Sequence, residues 1–235
     1  SESTVVRFAY ALGYDGYPEL QRSLQEFIRN KLTSVQRIQL TDEIDQGEVL
    51  NTVLKADMNN IRATIESVDP TSFEQVVEGL IQAKNVYIVG TRASTPLVEF
   101  FGYYLNFVLD GVHAVTSGTS DVFDQLIRVS AEDVVLGISF PRYSSRTLEG
   151  MRFAKERGAK VYAITDSQLS PLAETADITL FARSDMVSFA DSLVAPMALI
   201  NAVIVALSMR KKDEVSARFA QLEGIWHKNR VYAGR

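Results

Sequence analysis

Hydroxyl groups crowd four short stretches of the chain, each following an apolar run of strand length. They are Gly90-Thr91-Arg92-Ala93-Ser94-Thr95, Thr116-Ser117-Gly118-Thr119-Ser120, Ser139-Phe140-Pro141-Arg142-Tyr143-Ser144-Ser145 and Thr165-Asp166-Ser167. Serine and threonine cap helices, and capping explains part of this pattern. It explains less of Ser139, which closes an apolar run, or of Arg92 and Arg142, which supply charge. Hydroxyls and backbone N–H groups at a helix N-terminus favour an anion, and an arginine beside them strengthens that preference. The chemistry predicted is recognition of a phosphate or another acid group. The candidate contacts are Arg92, Ser94, Thr95, Thr119, Ser120, Ser139, Arg142, Ser144 and Ser145. Each arginine reads alternatively as a salt bridge to a loop acid.

Other chemistries find less to work with. The absence of cysteine excludes disulfides and thiolate metal sites. Two histidines far apart in sequence make a histidine metal site improbable, and no metal or cofactor is expected. Enzymatic isomerisation needs a base beside the reacting carbon, usually Glu or His. His113 falls at the start of a strand, His227 in the terminal helix, and Asp166 reads equally as a turn residue. No catalytic residue is assigned.

The elements that position these loops alternate. Strands are predicted at Val86–Gly90, His113–Thr116, Val134–Ser139, Lys160–Thr165 and Ile178–Phe181, with helices at Leu97–Leu109, Asp121–Val129 and Thr147–Arg157 and a short one from Pro171. Such alternation means a parallel sheet covered on both faces, and ligands bind at the carboxyl ends of its strands. A helix over Leu193–Ser208 closes the core, and the apolar Leu193–Met209 stretch reads as buried rather than membrane-spanning. Before the sheet, a helix starts at Asp69-Pro70, either with Pro70 in its first position or with Thr71 and Glu74 as a capping box. After it, Val215, Phe219, Leu222 and Trp226 mark an amphipathic helix over Asp213–Tyr232 that docks on its own domain or on a second subunit.

Two helices precede these elements. Val5, Phe8, Ala9 and Leu12 share a face ended by Gly13, and Pro18 opens a helix carrying Leu20, Leu24, Phe27, Ile28 and Leu32. Between residues 35 and 69 a helical stripe of Leu50, Val53, Leu54, Met58, Ile61, Ile65 and Val68 reads as a linker that packs on a partner helix or on its own domain.

Ser1-Glu2-Ser3-Thr4-Val5-Val6-Arg7-Phe8, then Leu12-Gly13-Tyr14 and Gly16-Tyr17-Pro18-Glu19-Leu20, resembles the recognition helix and following helix of RpiR-family transcriptional regulators. The resemblance implies that Ser3, Thr4 and Arg7 lie at or near the DNA major groove; Arg7 reads equally as a solvated helix charge. The family's domain begins several helices earlier, so the segment looks like a truncated helix-turn-helix that binds DNA poorly by itself. Residues from about 75 to 210 resemble the sugar isomerase (SIS) domain that follows in those regulators, a five-stranded parallel sheet that binds phosphosugars. Gly90 and Ser94 match its Gly-x-Gly-x-Ser loop, with Arg92 at the second glycine. Ser139 and Ser144 match the ends of Ser-x-Ser-Gly-x-Thr, with Pro141 and Arg142 in place of the inner serine and glycine. The later Ser170-Pro171-Leu172-Ala173 and Ala176-Asp177 also match. The two arginines imply an anionic effector, with an extra acid group one reading of them.

Hydrophobic residues make up 46% of the 235, charged residues 23%, and the net charge is −5, which excludes a wholly basic nucleic-acid binder. The polar start lacks a signal-peptide layout, so a cytoplasmic protein is expected. The expected fold is α/β, a three-layer αβα sandwich with a five-stranded parallel sheet, preceded by an all-α helix-turn-helix remnant. The divisions are residues 1–34 for the remnant, 35–69 for the linker, 70–212 for the SIS domain and 213–235 for the terminal helix. The expected function is a DNA-binding regulator of carbohydrate metabolism that senses a phosphosugar or sugar acid as a homodimer, with a tetramer the alternative. A sugar-phosphate isomerase is the alternative activity.

Overall fold

The computed structural model of the protein describes residues 2–18, 20–21, 23–24, 32–39, 44–118 and 120–233. Thr119, Phe27 and Ile28, which the sequence places in a binding loop and an apolar helix face, lie outside these residues. Two compact units are present: residues 1–53 with 186–191, and residues 54–185 with 192–235.

In the first unit, helix α1 (Glu2–Ala11) ends where Gly13 takes φ +86°. Gly13 N–H then reaches the Tyr10 carbonyl and Tyr14 N–H the Ala9 carbonyl, which closes the helix end. The expected apolar face is only partly buried: Ala9 is fully covered, whereas Val5, Phe8 and Leu12 are exposed. Helix α2 (Ser34–Gln39) buries Arg37, which pairs with Asp191 at 2.9 Å. Asp45 then caps a short 3-10 turn that leads into helix α3 (Val49–Ser67), whose residues from Leu54 onward belong to the second unit. The predicted apolar stripe of α3 stands largely exposed in the single chain, which its reading against a partner helix allows. Leu50, Leu54, Met58 and Ile65 stand exposed, and the buried positions are Asn60 and Thr64. Polar partners account for the two buried positions: Asn60 donates to the Asp185 carbonyl, and Thr64 Oγ1 accepts from Arg183 N–H.

The second unit is a parallel sheet of β1 (Val86–Val89), β2 (Val112–Val115), β3 (Val134–Ile138), β4 (Lys160–Thr165) and β5 (Ile178–Phe181). Its order is β2-β1-β3-β4-β5, with Val89 opposite Gly137 across the central pair. Alternate residues feed two cores. Val86, Ile88, Leu136, Ile138 and Ile164 pack with α4 (Pro70–Gln82), α5 (Thr95–Val108) and α9 (Val194–Arg210). Tyr87, Val89, Val135, Val161 and Ala163 pack with α6 (Val122–Gln125), α7 (Ser145–Glu156) and α8 (Pro171–Thr175). These are the three layers read from the sequence. Helix α9 buries Leu199, Ile200, Val203 and Leu207, whereas Val194, Val205 and Met209 on the same apolar helix stand exposed. No single described helix is long and apolar enough to cross a membrane.

Several boundaries move. The carboxylate of Asp69 accepts from Thr71 and Ser72 N–H and Pro70 takes the first turn of α4, which settles the two readings of that helix start. Helix α6 stops at Gln125 instead of Val129; Leu126 and Val129 are buried from a tight turn after it. Helix α7 starts one half-turn early, at Ser145, because Ser144 is its cap. The final helix α10 (Lys212–Asn229) has no buried residue, and Phe219 and Trp226 gather around Phe107 of α5.

Candidate functional site

Order 2-1-3-4-5 places the connections leaving β1 and β3 on opposite faces of the sheet, which opens a crevice at the carboxyl ends of these neighbouring strands. Both hydroxyl-rich loops with arginines end there. Gly90 makes the closure possible: a Cβ on it would stand 2.6 Å from Val98 Cγ2 and 2.9 Å from the Ile138 carbonyl. The loops are then tied across the crevice. Thr91 Oγ1 lies 2.5 Å from Ser144 Oγ, and Thr147 Oγ1 accepts from Thr91 N–H at 3.3 Å.

The β3 loop is braced on itself and on β4. Ser139 Oγ accepts from Ser144 N–H at 3.0 Å, and Ser144 Oγ caps α7 by accepting from Thr147 N–H. Thr165 Oγ1 lies 2.8 Å from both the Ser139 carbonyl and Ser170 Oγ. Tyr143 donates its hydroxyl proton to Asp166 Oδ1 at 2.8 Å. Burial first, and then the Asp166 charge, push the Tyr143 phenol far up, so it stays a proton donor. On the outer side, Arg146 pairs with Asp121 at 3.6 Å and with Glu149 at 3.1 Å, joining α7 to the cap of α6.

The predicted contacts therefore divide. Ser139 and Ser144 are buried and their oxygens hold the loop, although each hydroxyl retains further hydrogen-bonding capacity. Ser94 is 4% exposed as a residue, and its hydroxyl caps no helix and reaches solvent, since among the described residues the buried side-chain atoms without a partner are those of Arg37. Thr95 takes the first position of α5. Ser145, Ser120, Arg92 and Arg142 are exposed. Arg92 and Arg142 share an uncommon backbone: φ is +59° at Arg92 and +67° at Arg142, the left-handed region that glycine favours. The loops thus keep the glycine trace and add a side chain.

Thr91, Thr147 and Tyr143 were not singled out by the sequence reading, which weighed Asp166 only as a base or a turn residue. Each sits beside a chosen residue, but its partner is distant in the chain: Thr91 and Thr147 are 56 positions apart. The crevice offers neutral donors, the N-terminus of the 12-residue α7 and two arginines. That set suits an anion. His113 is away from it, near the start of β2, stacked on Tyr87 with ring centroids 4.6 Å apart. Among the described residues, no group of three His, Cys, Asp or Glu side chains could hold a metal.

Comparison with known proteins gives the same outline. The SIS domain description matches residues 79–206. An uncharacterized HTH-type transcriptional regulator of Haemophilus influenzae is 26% identical over 227 residues, 94% of this chain and 78% of the relative. The sugar isomerase domain of an RpiR transcription factor from Sphaerobacter thermophilus superposes with a TM-score of 0.72 at 28% identity, covering 75% of this chain and 98% of that one. The Vibrio vulnificus NanR protein, complexed with ManNAc-6P, superposes with a TM-score of 0.68 at 19% identity over 100% of this chain and 83% of its own.

Proposed function

The chain belongs to the SIS domain family, and from that premise we propose that it is a transcriptional regulator of the RpiR type whose SIS domain senses a phosphorylated sugar or sugar acid. The observation that carries the reading is the crevice between β1 and β3, where the hydroxyl-rich β1 loop is tied through Thr91 to Ser144 and Thr147 at the N-terminus of α7. Likeness to an HTH-type regulator across nearly the whole chain supports the regulatory half. The phosphosugar carried by NanR, a protein of the same fold, supports the ligand class.

In this reading Ser94, Thr95, Ser139, Ser144 and Ser145, with Arg92 and Arg142, face the effector, and Ser120 flanks it. Residues 1–34 form the end of the DNA-binding module, where Ser3, Thr4 and Arg7 are all exposed on α1. Residues 35–69 link it to the SIS domain at 70–212, and residues 213–235 pack on that domain or on a second subunit. The working form is a cytoplasmic homodimer, for which the exposed Leu54, Met58 and Ile65 of α3 offer a contact surface. Effector binding alters the dimer and with it the spacing of two recognition helices. An isomerase reading is less favoured. The carboxylate at the strand ends, Asp166, is engaged by the Tyr143 hydroxyl, and His113 lies near the opposite edge.

The test is thermal shift with a panel of hexose and hexosamine 6-phosphates. One or a few should raise the melting temperature, and Arg142→Ala should abolish that rise without lowering the ligand-free melting temperature. Conversion of a bound sugar phosphate to an isomer would overturn the non-enzymatic reading, and no stabilisation by any phosphate would remove the sensing role.

A further inference from the structure

Resting on the sensor reading above, we infer that residues 182–193 form a strap that couples the β3 loop of the crevice to the N-terminal unit, and that Arg37 with Asp191 is its catch. The strap leaves the carboxyl end of β5, and its root is joined to the crevice by an unbroken hydrogen-bonded path. Thr165 Oγ1 donates to the Ser139 carbonyl at 2.8 Å, at the base of the β3 loop. The Thr165 carbonyl accepts from Ala182 N–H at 2.9 Å, and the next amide, Arg183 N–H, donates to Thr64 Oγ1 of α3 at 2.9 Å. Two further bonds fasten the strap to the same helix. Asn60 Nδ2 donates to the Asp185 carbonyl, and Ser192 Oγ donates to Asp57 Oδ1 at 2.6 Å. Asp57, Asn60 and Thr64 follow helical spacing, so one polar face of α3 carries both flanks of the strap.

The middle of the strap changes company. Residues 186–191 belong to the first unit, although both flanks belong to the second. There Asp191 accepts from Arg37 Nη1 at 2.9 Å. Arg37 is 1% exposed, and its Nε and Nη2 have no hydrogen-bond partner among the described residues. A buried guanidinium with those donors unmet is costly, and the cost is relieved when the group reaches water. The pair is therefore poised rather than locked: opening loses one charged bond and hydrates two nitrogens. A poised contact of this kind is what lets a small shift at one site change another. An anion that orders the β3 loop steadies Thr165 and Ala182, and through them the strap. Asp191 is then held against Arg37, which steadies α2 in the unit that also carries α1.

The test is hydrogen–deuterium exchange of the whole chain, with glucitol 6-phosphate or inorganic phosphate as the probe. In the wild type, a saturating probe should slow exchange in α2 and in residues 186–191 by about fivefold or more. Arg37→Met removes the charge and its unmet donors while keeping an unbranched side chain. It should abolish the slowing in α2 and weaken the probe by a comparable factor, because the coupling is reciprocal. Arg37→Lys should retain part of the slowing, since it keeps the charge that faces Asp191. A wild type that slows in the β3 loop but not in α2 or residues 186–191 would overturn the inference. So would an Arg37→Met variant in which the probe still slows α2 as in the wild type, since that marks a structural pair only. Both outcomes leave the sensor reading intact. If neither probe binds, the sensor reading falls and the inference falls with it.

Discussion

The two edges of the sheet use similar polar residues to opposite ends. At the amino edge, Asp133 is 1% exposed and its carboxylate accepts from Asn85 N–H, Asn85 Nδ2, Ser130 N–H and Ser130 Oγ, all within 3.1 Å. Beside it Lys84 pairs with Glu132. At the carboxyl edge, Ser94 is a buried residue whose hydroxyl caps no helix and reaches solvent, and the exposed Arg92 has no counter-ion among the described residues. Polar clusters of comparable size thus differ in one property: the first has its hydrogen-bonding capacity filled by the protein, and the second does not. The filled cluster is a fastener between the strands, whereas the unfilled one is the part that the proposed sensing role assigns to an effector.

The largest expected effect breaks the fastener. Asp133→Ala leaves four donors without their acceptor and should cost about 3 kcal/mol in urea unfolding. The contribution depends on acid. Burial pushes the Asp133 carboxyl up, but the hydrogen bonds from Asn85 and Ser130 outweigh it and hold the group below the usual aspartate range. Its stabilisation is therefore complete above the unfolded value near ~3.9 and is lost as pH falls through the lower folded value. The stability gap between wild type and Asp133→Ala should narrow over that acidic window; a constant gap would mean that the four contacts do not depend on charge.

A smaller effect is expected where the two functions meet. Thr147→Val preserves shape and removes the oxygen that accepts from Thr91 N–H, with an expected loss of about 1–2 kcal/mol. It should also weaken sugar-phosphate binding, because it loosens the crevice loop. Weakened folding with undisturbed binding would assign Thr147 to the scaffold alone. The smallest change in stability is expected at the site itself. Ser94→Ala should shift unfolding by less than about 0.5 kcal/mol, yet it should lower affinity for glucitol 6-phosphate in calorimetry. A large stability loss in Ser94→Ala would erase the distinction between the two edges.

What the sequence made legible follows from what is local. Strands β4 and β5 match their predicted limits because β-branched runs end at turn residues. Arg92 and Arg142 stood out by occupying glycine positions, and the backbone there keeps the glycine conformation. What the sequence left illegible involves choices made by distant partners. The buried face of α3 is set by the Asp185 carbonyl and Arg183 N–H, more than a hundred residues along the chain. Likewise the capping role of Ser144 was readable, but its contact with Thr91, 53 positions away, was not. Hydroxyls that cap, bridge or bind have the same signature in a sequence.

Strand order adds a constraint on time. β1 and β3 are neighbours in the sheet, but the chain between them makes an edge strand and two helices before returning. During synthesis, a nascent chain that has not reached Thr147 lacks half of the crevice even if β1 and β2 are already paired. Closing a loop of that length costs entropy before any contact across it is gained. On the proposed sensing role, an effector would have no crevice to enter until the central strand pair is formed, and its binding would stabilise only chains that have completed that pairing.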